Sequence, residues 1–388
     1  MRINYLKEAR RADWVVFVSV FILIAFGMAA IYSVALSGGS DVLFLKKQAI
    51  AVLIGAVLAA VLTAVNYHAL RGFSFVLYAV GVLMLIAVLF FGITVNNTTG
   101  WFSFFGFNFQ PVEFMKLALI AYFSQYFSER ASRCFGMREF ATSALIVAVP
   151  VVAVMLQPDL GSALLLLSIW CFYIFFAGLP IRYMAALAVS AVAVVVVSWF
   201  FFLGQYQHDR ILTYLNPSAD PLGRGYHVKQ AEIAIGSGEL FGRGLGFGSQ
   251  SQLKFLPVSQ TDFIFAVIAE ELGFVGAAVI FAAFFILLLR LHTHASRAPD
   301  AFGAYLLLGI FSLTLVQVAV NLGMNLRLLP VTGIALPYVS YGGSSMLLFA
   351  ALFGIAQSVI VRISREKMMR GAMGRGFSFL RFVIDKIA

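Results

Sequence analysis

The sequence predicts an all-α, polytopic integral membrane protein of about ten transmembrane helices, with a large extracytoplasmic loop between helices 7 and 8. Three observations carry that prediction. The 388-residue chain is 62% hydrophobic, and its mean hydropathy of +0.95 lies far above that of a soluble domain. Apolar runs long enough to cross ~30 Å of hydrocarbon recur along its whole length. The runs are continuous, unlike the alternating strands of a barrel, and helices are the other structure that satisfies its own backbone in lipid.

Ten runs are read, at residues 14–34, 48–65, 73–93, 112–127, 141–156, 160–177, 183–203, 263–291, 301–326 and 344–361. The first follows a basic start, as a signal peptide would. Nine more runs make it a retained first helix. Residues 1–388 read as one membrane domain, with 204–262 as its large loop and 362–388 as a basic tail.

The Lys/Arg bias sets the expected orientation. With the N-terminus inside, the inner segments hold 18 cations and 7 acids, and everything else holds 9 cations and 10 acids. Both termini are then cytoplasmic. The pI of about 9.7 reflects topology and calls for no nucleic-acid partner. Cys134, in an inner loop, and Cys171, within a helix, form neither a disulfide nor a metal set.

Three outer segments depart from lipid-like composition. Residues 94–111, "TVNNTTGWFSFFGFNFQP", read as an uncharged loop ending before Glu113. Residues 204–262 are rich in Gly, Tyr, Arg and Pro. Residues 327–345, "RLLPVTGIALPYVSYGGSS", hold prolines and glycines too densely for a continuous helix. Loops of this length tend to be functional or disordered, and their interspersed aromatics argue against disorder.

The polar residues here are few. Glu113 and Lys116, at i and i+3, share a helix face and can pair, either to lock helices or to mark a working cavity. Asp159, in "QPDLGSA", suits a helix N-cap. In the loop, Arg210, Arg224, Lys229, Arg243 and Lys254 could hold phosphate oxygens. "GRGLGFG" lacks the strand–turn–helix setting of a dinucleotide fingerprint, and no P-loop GK[ST] is present. His208 and His227 are isolated, and no metal set stands out.

The stretch "PVSQTDFIFAVIAEELGFVG", 257–276, concentrates Asp262, Glu270 and Glu271 at the head of an apolar run in a chain only 11% charged. Thr261 or Asp262 could cap the helix, or Asp262 could be a working carboxylate at the membrane surface. One unbroken helix over 263–289 would be about 40 Å long, roughly 10 Å beyond the hydrocarbon. Asp262 then sits at headgroup level. Glu270 and Glu271 point differently around the helix, so at least one of them is structural.

Taken together, "FQPVEFMKLAL", "QPDLGSALL", "YQHDRILTYLNPSADPLGRGYHVKQAEIAIGSGELFGRGLG", "LPVSQTDFIFAVIAEELG" and "NLGMNLRLLPVTGIALPYVSYGGSS" resemble the SEDS family, the RodA/FtsW-type proteins, over essentially the whole chain. "PVTG" is closer to the RodA branch. The resemblance implies a peptidoglycan glycosyltransferase of the bacterial cytoplasmic membrane. Members of that family polymerise lipid II, release undecaprenyl pyrophosphate and work with a class B penicillin-binding protein, and the same is expected here. It also implies Asp262 as the essential acid, with Glu113 and Lys116 on the outer cavity and Arg210 at the family's loop arginine position; Arg243, as a loop cation, and Asp159 join them as substrate-binding candidates. Asp262 is expected to act as general base in an inverting transfer. A divalent cation such as Mg2+ or Mn2+ is a possible companion of the leaving pyrophosphate. Val258 and Gln260 stand where the family often has Glu and His before the acid. Gly100 replaces a common Arg before Trp101, and Arg327 replaces a small residue. A flippase for lipid-linked precursors and a non-catalytic scaffold are the competing readings.

Overall fold

A computed structural model describes residues 12–36, 42–95, 98–104, 107–131, 135–179, 183, 185, 224–253, 255–256 and 258–371. In chain order the elements are α1 (Trp14–Leu36), α2 (Val42–Ala64), α3 (His68–Phe91), β1 (Ile93–Val95), β2 (Thr98–Phe104), β3 (Phe107–Phe109) and α4 (Pro111–Ser128). They continue as α5 (Met137–Met155), α6 (Leu160–Phe176), α7 (Arg224–Ser237), α8 (Ser249–Gln252), α9 (Ile264–Ala295), α10 (Ala301–Asn325) and α11 (Gly343–Gly371).

Among the described residues, α1, α2, α3, α5, α9, α10 and α11 are long and apolar enough to cross a membrane. Helix α6 is a shorter apolar helix, and α4 carries Glu113 and Lys116 within its 18 residues. The predicted run at 183–203 lies almost wholly outside the described residues, as do residues 204–223 and the end of the basic tail. The centre of the bundle is α10 and α11, whose apolar windows are 72% and 78% buried, against 22% for α2 and α3. Helix α11 packs on α2, α3 on α4, and α9 on both α1 and α10.

At one end of the bundle a single acid ties three helices. Asp13, just before α1, accepts from Arg290 Nη2 at 2.6 Å and contacts His294 Nε2 at 2.6 Å. Its backbone N–H donates to Gln357 Oε1 of α11 at 3.1 Å.

Two sequence expectations change. Residues 94–111 are not simply a loop: β1, β2 and β3 form an antiparallel sheet in that order, pairing Ile93 with Trp101 and Phe102 with Phe109. Thr, Val, Ile and aromatic side chains favour such a pleated surface, and the strands are too short to announce themselves by periodicity.

The unbroken helix over 263–289 is also not observed. Gly273 sits inside α9 with φ 64° and ψ −163°, so two helices meet across a kink. A break at membrane depth frees backbone groups that only protein can satisfy, and the long loop supplies the partners. Arg243 N donates to Glu270 O at 3.0 Å, and Gly244 N donates to Glu271 O at 2.9 Å. In return Phe274 N donates to Glu239 O at 2.9 Å, and Val275 N donates to Leu240 O at 3.1 Å. The approach is close enough that a Cβ on Gly273 would run into Gly242 N and Leu240 O. Gly273→Ala therefore meets both a left-handed φ and a backbone clash, and it should cost about 1–3 kcal/mol or more. A lowered melting temperature of the detergent-purified protein is the expected reading.

Candidate active site

The end of the bundle away from Asp13 opens into a cavity of about 750 Å³. Its walls come from the turn at 258–263, the irregular segment 331–335, the β-sheet, and the starts of α4, α6 and α11. Glu113, Lys116, Asp159 and Asp262 line it together, so four of the six residues singled out from the sequence converge there.

Asp262 is half-buried in a turn that is hung from its neighbours by successive carbonyls. Tyr341 N donates to Gln260 O at 2.9 Å, and Ser340 Oγ donates to Thr261 O at 2.6 Å. Asn321 and Asn325 both donate to Asp262 O, at 3.1 and 3.0 Å. The cap position of α9 falls on Phe263, which makes no side-chain cap. Thr261 Oγ1 instead donates to Val258 O at 3.3 Å, within the turn itself. Gly333 approaches from the opposite wall: a Cβ there would stand 3.7 Å from Asp262 Oδ2.

Glu113 and Lys116 form a buried ion pair, Oε1 to Nζ 2.7 Å, with side-chain exposures of 9% and 2%. Pro111 opens α4 and Glu113 lies in its first turn, where the helix dipole favours an acid. Glu113 Oε2 has no hydrogen-bond partner among the described residues. Asp159 is the N-cap of α6, accepting from Ser162 N at 3.0 Å and Ser162 Oγ at 2.7 Å. It therefore serves as cap and cavity wall at once.

Other expectations resolve differently. Arg243 does not join the cavity. Its Nε donates to Ser237 O at 2.8 Å, and its backbone N–H belongs to the junction with the α9 break, which holds it away from Asp262. Arg210 lies outside the described residues, as do His208 and Lys254. Both Glu270 and Glu271 are structural. Glu270 accepts from Gln250 N at 2.7 Å and Ser251 N at 3.1 Å at the start of α8. Glu271 accepts from Ser33 Oγ of α1 and from Ser251 Oγ at 3.1 Å.

Lys47, Gln317 and His227, the last isolated in sequence, also line the cavity. Lys47 belongs to the cation count of the acid-balanced side, and that was its only sequence signal. His227 stacks on Phe263, ring centroids 6.4 Å apart and planes at 12°. Among the described residues no group of three or more His, Cys, Asp or Glu is placed to hold a metal ion. The acids present fit a weaker role, since Mg2+ is commonly held by one or two carboxylates plus substrate phosphates.

These features define a polytopic helical membrane protein with a polar cavity at one end of its bundle, walled by acids and cations. A family model described as "Cell cycle protein", covering FtsW, RodA and SpoVE, matches residues 13–367, and the chain belongs to this SEDS family. The chain is 35% identical over 323 residues to "Peptidoglycan glycosyltransferase MrdB" of Escherichia coli, covering 83% of this chain and 87% of that one. It is 36% identical over 357 residues to "Stage V sporulation protein E" of Bacillus subtilis, covering 89% and 96%. Among solved structures, Thermus thermophilus RodA matches with TM-score 0.68 and 30% identity, over 90% of this chain and 96% of that one. A chain from "Structural coordination of polymerization and crosslinking by a peptidoglycan synthase complex" matches with TM-score 0.75 and 31% identity, over 92% and 98%.

Removing one member of the buried Glu113–Lys116 pair strands the other's charge. Glu113→Ala should cost about 3–5 kcal/mol, read as a lower melting temperature in detergent. Glu113→Leu with Lys116→Met should recover most of that stability without recovering glycan synthesis.

Proposed function

We propose that this chain, a peptidoglycan glycosyltransferase of the bacterial cytoplasmic membrane, polymerises lipid II at the outer face with Asp262 as general base. The observation that carries the reading is the half-buried Asp262 in the wall of the same cavity as Lys116. Both termini lie in the cytoplasm on this reading, in keeping with the Lys/Arg bias, and the cavity opens outward at headgroup level.

The chemistry is a single displacement. The C4 hydroxyl of the acceptor's N-acetylglucosamine gives its proton to Asp262, and its oxygen attacks the anomeric carbon of the lipid-linked N-acetylmuramic acid. The α-linked undecaprenyl pyrophosphate leaves with the bonding electrons, and a β-1,4 bond forms with inversion. One carboxylate suffices because pyrophosphate leaves without protonation when cations offset its charge. Hydrolases need a second carboxyl group for a poor alkoxide leaving group. Lys116 and Lys47 supply positive charge from the cavity wall. Glu113 holds Lys116 in place, and Asp159 anchors the start of α6 on the same wall. A divalent cation such as Mg2+ or Mn2+ would be held by the Glu113 carboxylate, whose Oε2 has no partner among the described residues, together with substrate phosphates, and would supply further charge compensation. A class B penicillin-binding protein is the expected partner for crosslinking, a reading supported by the similarity to a chain of a peptidoglycan synthase complex.

Purified protein supplied with lipid II should make glycan strands, and Asp262→Ala should abolish them while leaving the elution profile in detergent unchanged. Strand synthesis at the native rate by Asp262→Ala would remove Asp262 from the mechanism.

A further inference from the structure

A general base works only within hydrogen-bond reach of the proton it takes, about 2.6–3.2 Å. An aspartate has a short side chain, so the placement of its main chain largely decides where the carboxylate can go. Asp262 sits in the turn before α9, outside any regular helical ladder, and Val258 at the start of that turn has φ 53°. Something other than helix geometry must therefore hold residue 262.

Ser340 and Tyr341 hold the two residues before it, and at residue 262 itself two asparagines one helical turn apart near the end of α10 take hold. Asn321 Nδ2 donates to Asp262 O at 3.1 Å and also to Ile334 O at 2.8 Å. Asn325 Nδ2 donates to Asp262 O at 3.0 Å. An asparagine amide has two N–H groups, and Asn321 directs one to the acid's own peptide and one to the facing wall. Ile334 follows Gly333, the residue whose added Cβ would stand 3.7 Å from Asp262 Oδ2. One side chain thus spans the acid and the surface opposite its carboxylate.

Both asparagines are almost completely buried, at 0% and 1% exposure. Asparagine is a poor helix former, and a buried amide costs free energy unless its hydrogen bonds are made. An apolar residue would serve packing alone at less cost on so deeply buried a helix. Two amides aimed at one carbonyl indicate that its position matters.

We propose that Asn321 and Asn325 are positioning residues that set the gap between the Asp262 carboxylate and the 332–335 wall, where the acceptor sugar hydroxyl enters. They touch no reacting atom and act through the main chain of Asp262. The inference rests on the reading of Asp262 as general base.

The test uses the full-length protein, purified and reconstituted, with initial rates of lipid II polymerisation measured over a range of substrate concentrations. Asn321→Asp keeps the side-chain shape and replaces the donor with an acceptor. Asn325→Ala removes the second donor alone and is the milder change. A misplacement of about 1 Å costs on the order of 100-fold in rate. The expected kcat losses are therefore about 100-fold for Asn321→Asp and about 10-fold for Asn325→Ala, with KM for lipid II held within about twofold. Native kcat in both variants overturns the proposal. So does a rise in KM at unchanged kcat, or a loss of rate that only tracks a loss of folded protein. If Asn321→Asp does not purify as folded protein, Asn325→Ala decides the question by the same criteria. Asp262→Ala in the same assay separates the two claims. Polymerisation by Asp262→Ala defeats the general-base reading itself. An inactive Asp262→Ala beside asparagine variants of native kcat defeats only the positioning role.

Discussion

Backbone groups released from a helix inside a membrane must find partners within the protein, and that requirement governs this molecule. Helix α9 breaks at Gly273, and the strip 239–244 fills the break with four backbone hydrogen bonds. The part of α9 before the break, residues 264–272, becomes a short, separately held piece, with Glu270 and Glu271 fastening it to α8 and α1. Its leading turn carries Asp262. Asp262, the proposed general base, is therefore placed by main-chain bonds on both sides of a short helical segment, and the long loop is part of that support as well as a surface feature.

The same economy explains the distribution of charge. Ionisable side chains are expensive inside a bilayer and face partners or cavities. Glu113 and Lys116 neutralise each other at the cavity wall, Asp159 is satisfied by Ser162, and Asp13 gathers Arg290 and His294 at the far end. Lys47, Lys116 and His227 line the cavity together with Glu113, Asp159 and Asp262. On the proposed reading, the pairing of Lys116 with Glu113 lowers the reorganisation needed when negative charge develops on a leaving pyrophosphate. The charge balance also bears on Gln260 and Gly100, where the family often carries His and Arg: Lys47 and His227 bring positive or polar groups to the same cavity from other elements.

Much of this was legible in the sequence because its causes are local. The i, i+3 spacing of Glu113 and Lys116 predicted their pairing, and Asp159 before "LGSA" predicted a cap. The apolar runs predicted the described spans, and the Pro/Gly density of 327–345 predicted an interrupted segment. What escaped notice depends on distant partners. Gly273 in "AEELGFVG" looks like a tolerated glycine until residues 238–244 are packed against it. Arg243 reads as a phosphate ligand until its backbone is committed to Glu270. Strands β1 to β3 are too short to show a period, and Asn321 and Asn325 gain their meaning only from a carbonyl about 60 positions earlier in the chain.

The central claim is that the side chain at position 262 stands in water at the outer rim of the bilayer. Thiol labelling of Asp262→Cys in intact spheroplasts, with Cys134 and Cys171 replaced by Ser, tests it most directly. A membrane-impermeant maleimide should label position 262 from outside, and prior addition of lipid II should slow the reaction. Labelling only after the inner face is exposed, or none even in detergent-solubilised folded protein, would contradict the account.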